Sequence, residues 1–339
     1  MTNPIQAGLL AYGMSGRVFH APLLAAHASF QLRAVVERSR QTAATTYPGI
    51  ISHGSVEQLL ADPEIELVVV NTPNNTHAAL ARQALLAGKH VLIEKPVATT
   101  LAELDELLAL AESRGRHLLA YQNRRWDSDF QLVRAVVESG QLGQLTEVQF
   151  RFDRYKMALN TKLFKEDSAV PGSGLSFDLG PHVLDQTLSL FGRPEQVHKT
   201  LASHRPHSRV DDYFHFHLQY ARGLNVFVAG SLLTAAPGPA YVLHGTLGSF
   251  QKRRADPQEA QLSQKLQPTD AAYGQEPAGT EGHLTLVQAA GSETKTLLPA
   301  PRGNYPALFE AMYQTLRHDQ PFPVQAGELR WQLEILELR

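Results

Sequence analysis

Across residues 1–122, short β-rich runs alternate with longer segments of helical periodicity, and this alternation constrains the fold more than any other feature. It predicts βαβ units, and therefore a parallel sheet with helices packed on its faces. The predicted strands are Ile5 to Leu10, Gln31 to Val36, Leu67 to Asn71, His90 to Glu94 and His117 to Tyr121, and the predicted helices include Ser55 to Ala61, Thr76 to Leu86 and Leu101 to Arg114. Residues 1–122 are therefore predicted to form a doubly wound α/β domain.

The pattern changes at Asn123, where a predicted helix, Asp129 to Glu138, leads into long strands separated by Gly and Pro turns. Because few crossover helices follow, residues 123–339 are predicted to form an α+β domain on an open, largely antiparallel sheet. The predicted strands are Leu145 to Tyr155, Gln196 to Ser203, Asp212 to Tyr220, Leu224 to Leu233, Tyr241 to Thr246 and His283 to Gln288. Residues 253–282 are predicted to be a surface excursion with one short helix, and helices are predicted at Tyr305 to Arg317 and Ala326 to Leu338.

Composition excludes several classes of function. A formal net charge of -2 argues against binding to nucleic acid or an anionic membrane, which needs clustered Lys and Arg. The chain has no cysteine, which excludes disulfides, thiolate metal sites and cysteine nucleophiles. The run from Met1 to Ile5 lacks a signal-peptide pattern, and no apolar run approaches the length of a membrane span. We therefore expect a soluble cytoplasmic protein with a small-molecule partner.

The loop after the first strand is a candidate phosphate-binding site. It reads Ala11-Tyr12-Gly13-Met14-Ser15-Gly16, a degenerate G-x-G-x-x-G fingerprint of the Rossmann fold with Ala at the first glycine. The second glycine of the fingerprint lets the backbone approach a pyrophosphate, and the third lets the helix pack against the strand. Tyr12, Gly13, Met14, Ser15 and Gly16 are therefore predicted to bind NAD or NADP. The alternative is an ordinary strand-to-helix turn.

The residues at the tip of the second strand give conflicting signals about the cofactor. Glu37 could accept hydrogen bonds from an adenosine ribose and repel a 2′-phosphate, which favours NAD slightly. Arg38, Ser39 and Arg40 follow it, and such residues can hold a 2′-phosphate. Glu37 and Arg38 are both predicted cofactor contacts, and the alternative is a solvated charged turn.

Three residues are predicted to act at the reacting carbon. Lys95 follows a parallel strand, at the edge where such sheets bind ligands, and its ammonium could stabilise an alcohol oxygen or relay its proton. Asp178 and His182 lie at the start of a helical segment that contains Pro181, which would place them on the same side. His182 could take the alcohol proton, and Asp178 could orient it or hold a substrate hydroxyl. The alternative is a capping aspartate with a structural histidine. No third ligand suits a metal, so none is predicted.

The junction of the two predicted domains carries further candidates. Asn123, Arg124, Arg125 and Trp126 could contact nicotinamide and substrate hydroxyls, unless they form a charged linker with one packed tryptophan. Arg125 and Trp126 are predicted substrate contacts, together with Tyr155 at the end of a predicted strand.

These motifs together resemble the family named for glucose-fructose oxidoreductase, inositol dehydrogenase and the MocA protein. The matching elements are the glycine loop with Phe19-His20-Ala21-Pro22, Thr72-Pro73-Asn74 with His77, Glu94-Lys95-Pro96, Asn123-Arg124-Arg125-Trp126, and Asp178 with His182. The chain is most similar to the NADP-dependent scyllo-inositol dehydrogenase branch.

The resemblance implies hydride transfer at a bound nicotinamide cofactor, with the reactive positions occupied by Lys95, Asp178 and His182. It also implies dimers or tetramers formed through the open sheet, and cofactor contacts at Thr72, Pro73, Asn74, His77, Glu94, Lys95 and Asn123. We therefore expect a dehydrogenase acting on a secondary alcohol of a sugar or cyclitol. Glycoside cleavage by transient oxidation and a non-catalytic sugar or dinucleotide sensor are the alternatives.

Overall fold

The computed structural model describes residues 3–39, 41–161, 165–288 and 291–338. They divide into two compact units, the first made of Met1–Asn123, Pro257–Tyr273 and Asn304–Ala326, and the second of Arg124–Asp256, Gly274–Gly303 and Gly327–Arg339. The sequence prediction assigned residues 257–273 and 304–326 to the second domain, whereas in the structure they group with the first unit. The periodicity of a helix shows that it has a buried face, but not which core that face covers.

The first unit contains a six-stranded parallel sheet, and the predicted fold class is confirmed. Its strands are β1 Ile5–Leu9, β2 Phe30–Val36, β3 Ile51–His53, β4 Leu67–Val70, β5 His90–Glu94 and β6 Leu118–Tyr121. They are arranged in the order β3-β2-β1-β4-β5-β6. The strands after β3 are therefore added on the other side of β1, and the strand order reverses between β1 and β4. Doubly wound sheets bind ligands at this switch point, beyond the carboxyl ends of the strands. The prediction missed β3, since three residues are too few for a periodic signal.

The second unit contains an eight-stranded sheet. Its strands are β7 Leu145–Asp153, β8 Gln196–Ala202, β9 Tyr213–Gln219, β10 Asn225–Ser231, β11 Tyr241–Gly245, β12 Gly248–Lys252, β13 Gly282–Val287 and β14 Glu293–Leu298. Neighbouring strands are antiparallel except β7 and β10, which run parallel. The prediction missed β12 and β14. In β12 Phe250 is the single large apolar residue, and β14 is almost wholly exposed, so neither sequence shows an apolar alternation.

Ten helices are numbered along the described chain. They are α1 Ala21–Ala26, α2 Val56–Ala61, α3 His77–Leu86, α4 Leu101–Ser113, α5 Ser128–Glu138, α6 Leu175–Asp178, α7 Gly180–Phe191, α8 Gln258–Ser263, α9 Tyr305–His318 and α10 Ala326–Glu337. The short helix predicted within residues 253–282 is α8. This segment is more than a surface excursion, because Gln258, Leu262 and Tyr273 are buried.

No helix in the parts of the chain that the structure describes is long and apolar enough to cross a membrane.

Candidate active-site residues

The glycine loop is held tightly against the end of β4. Asn71 accepts a 3.0 Å hydrogen bond from the Ala11 backbone N–H and donates a 2.8 Å bond to the Ala11 carbonyl. A Cβ on Gly16 would lie 2.4 Å from the same carbonyl oxygen. Only glycine therefore allows the start of the helix to approach the strand so closely. Ala11 is not among the described residues with positive φ, so alanine is compatible with the first glycine position.

The outer side of the loop is open and suits a pyrophosphate. Gly13 and Met14 are exposed, and a Cβ added to Gly13 would meet no atom of the described residues within 4 Å beyond its chain neighbours. Residues 14–26 are continuously helical, and Arg17 N–H donates a 3.0 Å bond to the Gly13 carbonyl. The first turn of a helix presents unpaired N–H groups and the positive end of its dipole, which favours an anion. The loop residues therefore fit a dinucleotide cofactor.

Glu37 is directed at the chain that follows it. Its Oε1 accepts bonds from the Thr42 backbone N–H and hydroxyl, each at 2.8 Å, and its Oε2 accepts from the Ala43 N–H at 3.2 Å and the Ser52 hydroxyl at 2.8 Å. Burial opposes ionisation, but these bonds lower the pKa of Glu37. A carboxylate offers about four acceptor sites, so little capacity remains for a ribose. The structure therefore gives Glu37 a role in shaping the loop.

Other groups near the end of β2 remain accessible. Arg38 and Ser39 are exposed, while Arg40 lies outside the described residues. Tyr12 is half-buried, bonds to Thr46 through its hydroxyl, and has its pKa raised by burial.

Glu94 connects the glycine loop to the strand that precedes Lys95. Its Oε1 accepts a 2.7 Å bond from the Ser15 hydroxyl and lies 2.9 Å from Nε2 of His20, while the Lys95 N–H donates to Oε2 at 3.3 Å. Burial opposes ionisation, but the bonds from His20 and Ser15 hold the pKa of Glu94 at about 2. The sequence prediction took Glu94 for a cofactor contact. Its hydrogen bonds indicate that it positions Ser15, His20 and the backbone of Lys95.

His77 holds together the two backbone segments that follow β4 and β5. It is 1% exposed, and its Nδ1 and Nε2 lie 2.7 Å from the Pro96 carbonyl and 2.8 Å from the Thr72 carbonyl. Burial lowers the pKa of His77, against the two hydrogen bonds, which raise it. The peptide bond between Lys95 and Pro96 is cis. His77 is thus buried away from solvent and fixes the segment that carries Lys95.

The remaining cofactor candidates differ in exposure. Lys95, Thr72 and Asn74 are half-buried, Pro73 is exposed, and Asn123 is 4% exposed. Lys95, Thr72 and Asn74 keep surface through which a ligand could be bound, whereas little of Asn123 is accessible.

Asp178 and His182 lie on two consecutive helices of the second unit. Asp178 is the last residue of α6, and His182 is the third residue of α7, with Pro181 in its first turn as the sequence predicted. The Asp178 side chain is 40% exposed, whereas His182 is 6% exposed and its ring centroid lies 6.2 Å from that of Phe152. The two residues are thus one helical turn apart, one partly open to solvent and the other enclosed.

The N-terminus of α6 is fixed by Asp211. Its carboxylate accepts bonds from the Ser176 backbone N–H at 2.6 Å and hydroxyl at 3.1 Å, and its carbonyl accepts from the Leu175 N–H at 2.9 Å. Gly174 precedes the helix at φ 90°, where a Cβ would lie 2.2 Å from Asp211 Oδ1. Burial raises the pKa of Asp211. This capping arrangement sets the position of the short helix that ends at Asp178.

Lys165 also contacts Asp178, although no sequence motif indicated this residue. Its Nζ lies 3.4 Å from Asp178 Oδ1. The two residues are 13 positions apart and joined by irregular chain, so no helical or strand spacing relates them.

Arg125 is enclosed by carboxylates. Its guanidinium donates to Asp185 Oδ2 at 2.8 Å and Oδ1 at 2.7 Å, and to Glu328 Oε2 at 2.8 Å. The residue is 7% exposed, and the two carboxylates raise its pKa even though burial opposes this. These contacts favour a structural role over the predicted contact with substrate. Among the other predicted substrate residues, Trp126 is half-buried and Tyr155 is 60% exposed.

Among the described residues, no group of three or more His, Asp or Glu side chains is arranged to hold a metal ion.

Comparison with known proteins identifies the family to which two regions of the chain belong. Residues 5–122 match the model of an oxidoreductase family with an NAD-binding Rossmann fold, and residues 130–251 match the GFO/IDH/MocA C-terminal domain. The uncharacterized oxidoreductase YdgJ of Escherichia coli is 38% identical over 100% of this chain and 96% of its own. The scyllo-inositol 2-dehydrogenase (NADP(+)) IolW of Bacillus subtilis is 32% identical over 96% of this chain and 90% of its own. A crystal structure of an oxidoreductase from Bacillus cereus superposes with a TM-score of 0.90 at 32% identity, covering 98% of this chain and 95% of that one.

Proposed function

Because the chain belongs to the GFO/IDH/MocA oxidoreductase family and its first unit is an NAD(P)-binding Rossmann domain, we propose that it oxidises a secondary alcohol of a sugar or cyclitol, or reduces the corresponding ketone. The observation that carries this proposal is the placement of Asp178 at the end of α6 and of His182, four positions later, in the first turn of α7. The activity of the similar protein IolW, scyllo-inositol 2-dehydrogenase (NADP(+)), supports the proposed substrate class.

Bound NAD(P) supplies the hydride acceptor or donor. In the proposed reaction, the Lys95 ammonium stabilises negative charge on the substrate oxygen. His182 accepts the alcohol proton during oxidation and returns it during reduction, for which an imidazole has a suitable pKa. The Asp178 carboxylate accepts a hydrogen bond from a substrate hydroxyl and so orients the ring.

The preferred cofactor is proposed to be NADP. The acceptor capacity of Glu37 is taken up by Thr42, Ala43 and Ser52, so this carboxylate does not favour a ribose diol as the sequence alone suggested. Arg38 and Ser39 are exposed beside it and offer a guanidinium and a hydroxyl to a 2′-phosphate. This reverses the slight preference for NAD that the carboxylate suggested.

The test combines cofactor titration with a substrate panel. Purified protein is titrated with NADPH and NADH by fluorescence, and then assayed for oxidation of inositols and aldoses and for reduction of their keto forms. We expect turnover with NADP and a loss of at least 100-fold in kcat for Lys95→Ala, since it removes a group that acts in the transition state. Lys295→Ala, which changes a lysine that is 74% exposed, is the matched control and should leave kcat unchanged.

The alternatives give different outcomes. Glycoside cleavage without net consumption of cofactor would replace the dehydrogenase proposal by transient oxidation. Cofactor binding without any turnover, in the wild type as in Lys95→Ala, would favour a sensor.

A further inference from the structure

A lysine outside the predicted catalytic set lies against Asp178. Lys165 Nζ is 3.4 Å from Asp178 Oδ1, and the two side chains are 37% and 40% exposed. An ion pair with this much solvent access is weak in itself, because water screens the charges and two flexible side chains must be ordered. Such a pair can serve a reaction only if the chain around the lysine is held in place.

The residue after Lys165 is held by buried bonds. Glu166 is 8% exposed, and its Oε1 accepts bonds from the Asn160 backbone N–H at 2.8 Å and side-chain amide at 3.0 Å. Its Oε2 accepts a 2.9 Å bond from Arg205. Both carboxylate oxygens are therefore used to fix the path of the chain beside Lys165.

Arg205 connects this segment to the start of β9. It is 4% exposed, and its guanidinium donates to Asp212 Oδ2 at 3.3 Å and to the Ala158 carbonyl at 3.3 Å, in addition to Glu166. Asp212, which is 0% exposed, also accepts from the backbone N–H groups of His204 and Arg205. Burial opposes ionisation of Asp212, but these bonds lower its pKa.

A buried network of this kind contributes little net stability. The cost of removing the charges from water offsets much of their attraction, so apolar residues of similar volume would serve the core as well. Charged hydrogen bonds do impose a definite geometry. Here they fix the positions of Ala158, Asn160 and Glu166, the last of which is next to Lys165.

We propose that Lys165 is a positioning residue for Asp178, and that the buried Glu166–Arg205–Asp212 network holds it there. The ammonium keeps the Asp178 carboxylate ionised and turned in one direction, so that it can accept a hydrogen bond from a substrate hydroxyl. The proposal rests on the proposed function only in taking Asp178 as a substrate-binding carboxylate.

The sign of the expected pH effect follows from the charges around Asp178. Lys165 faces it, His182 lies one turn further on, and the Asp211 carboxylate lies at the other end of α6. A nearby cation favours the ionised carboxylate, and Asp211 opposes it. Removing the lysine charge therefore raises the pH at which Asp178 becomes ionised.

The first experiment compares Lys165→Met with Lys165→Arg. The pH profile of kcat/KM is measured from pH 3.5 to 9, because an aspartate ordinarily titrates at about 3.9 and a limb above pH 5 would report an imidazole. Lys295→Met, which changes a lysine that is 74% exposed, is the control. We expect Lys165→Met to move the part of the acidic limb below pH 5 upward by about 0.5–1 pH unit, a value discounted for the exposure of the pair. Lys165→Arg should restore the profile, Lys295→Met should not change it, and NADPH affinity should be the same in all three. An acidic limb that is identical in Lys165→Met and the wild type would overturn the proposal.

The second experiment does not depend on activity. The Asp178 carboxyl is titrated by carbon-13 NMR in protein labelled at aspartate, with Asp178→Asn to assign the signal. We expect the midpoint to rise in Lys165→Met and, by a smaller amount, in Glu166→Gln, whose folding is checked by thermal melting. An unchanged midpoint in both folded variants would refute the pairing, even if the enzyme proved to have another activity. If the midpoint rises but no substrate of the panel is turned over, the proposed function fails and the pairing stands.

Discussion

Glu94 accepts a 2.7 Å hydrogen bond from the hydroxyl of Ser15, so the residue before Lys95 is bonded to the glycine loop. His20, from the helical turn after that loop, lies 2.9 Å from the same oxygen. The glycine fingerprint and the Glu94-Lys95-Pro96 motif are therefore one hydrogen-bonded unit, although they are about 80 positions apart in the sequence. A substitution in either motif should therefore alter the position of the other.

Glu94→Gln is expected to weaken both the fold and the cofactor site. The amide cannot reproduce two charge-assisted bonds, so the free energy of unfolding at pH 7 should fall by about 1–3 kcal/mol and the Kd for NADPH should rise about tenfold. The folded pKa of Glu94, about 2, is below its usual value of 4.5, so its contribution is complete above pH 4.5 and is lost as the pH falls towards 2. Urea unfolding at pH 7 and pH 3 should therefore show a smaller difference between variant and wild type at the lower pH. Equal differences at both values would contradict this, and Glu106→Gln, at a side chain that is 61% exposed, is the control.

Gly13 and Gly16 should respond differently to alanine. At Gly16 the new Cβ would meet the Ala11 carbonyl oxygen at 2.4 Å, so Gly16→Ala should lower the melting temperature and abolish cofactor binding. At Gly13 the Cβ would enter open space, so Gly13→Ala should fold normally but bind NADPH at least tenfold more weakly, because the methyl group occupies the approach of the pyrophosphate. Thermal melting and fluorescence titration separate the two effects. Unchanged NADPH affinity in Gly13→Ala would place the phosphates elsewhere.

The parallel sheet was predictable because each buried strand and each amphipathic helix carries its own periodic signal. The close packing at Gly16 was predictable for a similar reason, since a short loop between β1 and the following helix leaves few conformations. The prediction that Asp178 and His182 act together rests on helical spacing, and the structure places them at the end of α6 and in the first turn of α7.

The direction of a side chain was harder to predict. A carboxylate at the tip of β2 can face a ribose or its own loop, and Glu37 faces the loop because Thr42, Ala43 and Ser52 lie within reach. Lys165 contacts Asp178, but the chain between them is irregular up to α6. In such chain no periodicity relates the spacing of residues in the sequence to their distance in space. Sequence motifs thus identified the candidate residues, and the tertiary fold decided which of them remain accessible.

Arg38→Gln is expected to discriminate between the two cofactors. If the guanidinium holds a 2′-phosphate, its loss should raise the Kd for NADPH by about 10- to 100-fold, the range of a hydrogen bond to a charged group, and leave the Kd for NADH unchanged. Fluorescence titration with both cofactors measures this. Arg82→Gln, at a side chain that is 55% exposed, is the matched control. An equal loss of affinity for NADH and NADPH would show that Arg38 contacts a group common to both.

Arg125→Met tests whether that arginine supports the fold or binds the substrate. Its removal leaves the Asp185 carboxylate buried without its bidentate partner, which should lower the free energy of unfolding by about 3–5 kcal/mol. Burial already raises the pKa of Asp185 above its usual value, and losing the guanidinium raises it further. A raised carboxyl pKa means that the folded state holds a proton that the unfolded state has released, so the deficit should grow as the pH rises from 5 to 8.

The double variant Arg125→Met with Asp185→Leu removes the uncompensated charge and should recover part of the stability, with a weaker dependence on pH. Urea unfolding of the wild type and both variants at the two pH values measures these effects. KM for the substrate is measured alongside. If Arg125→Met were as stable as the wild type and raised KM instead, the guanidinium would contact the substrate, as the sequence motif predicted. Loss of stability with unchanged KM would assign Arg125 to the core, because a residue that is 7% exposed and bonded to two carboxylates has little capacity for a third partner.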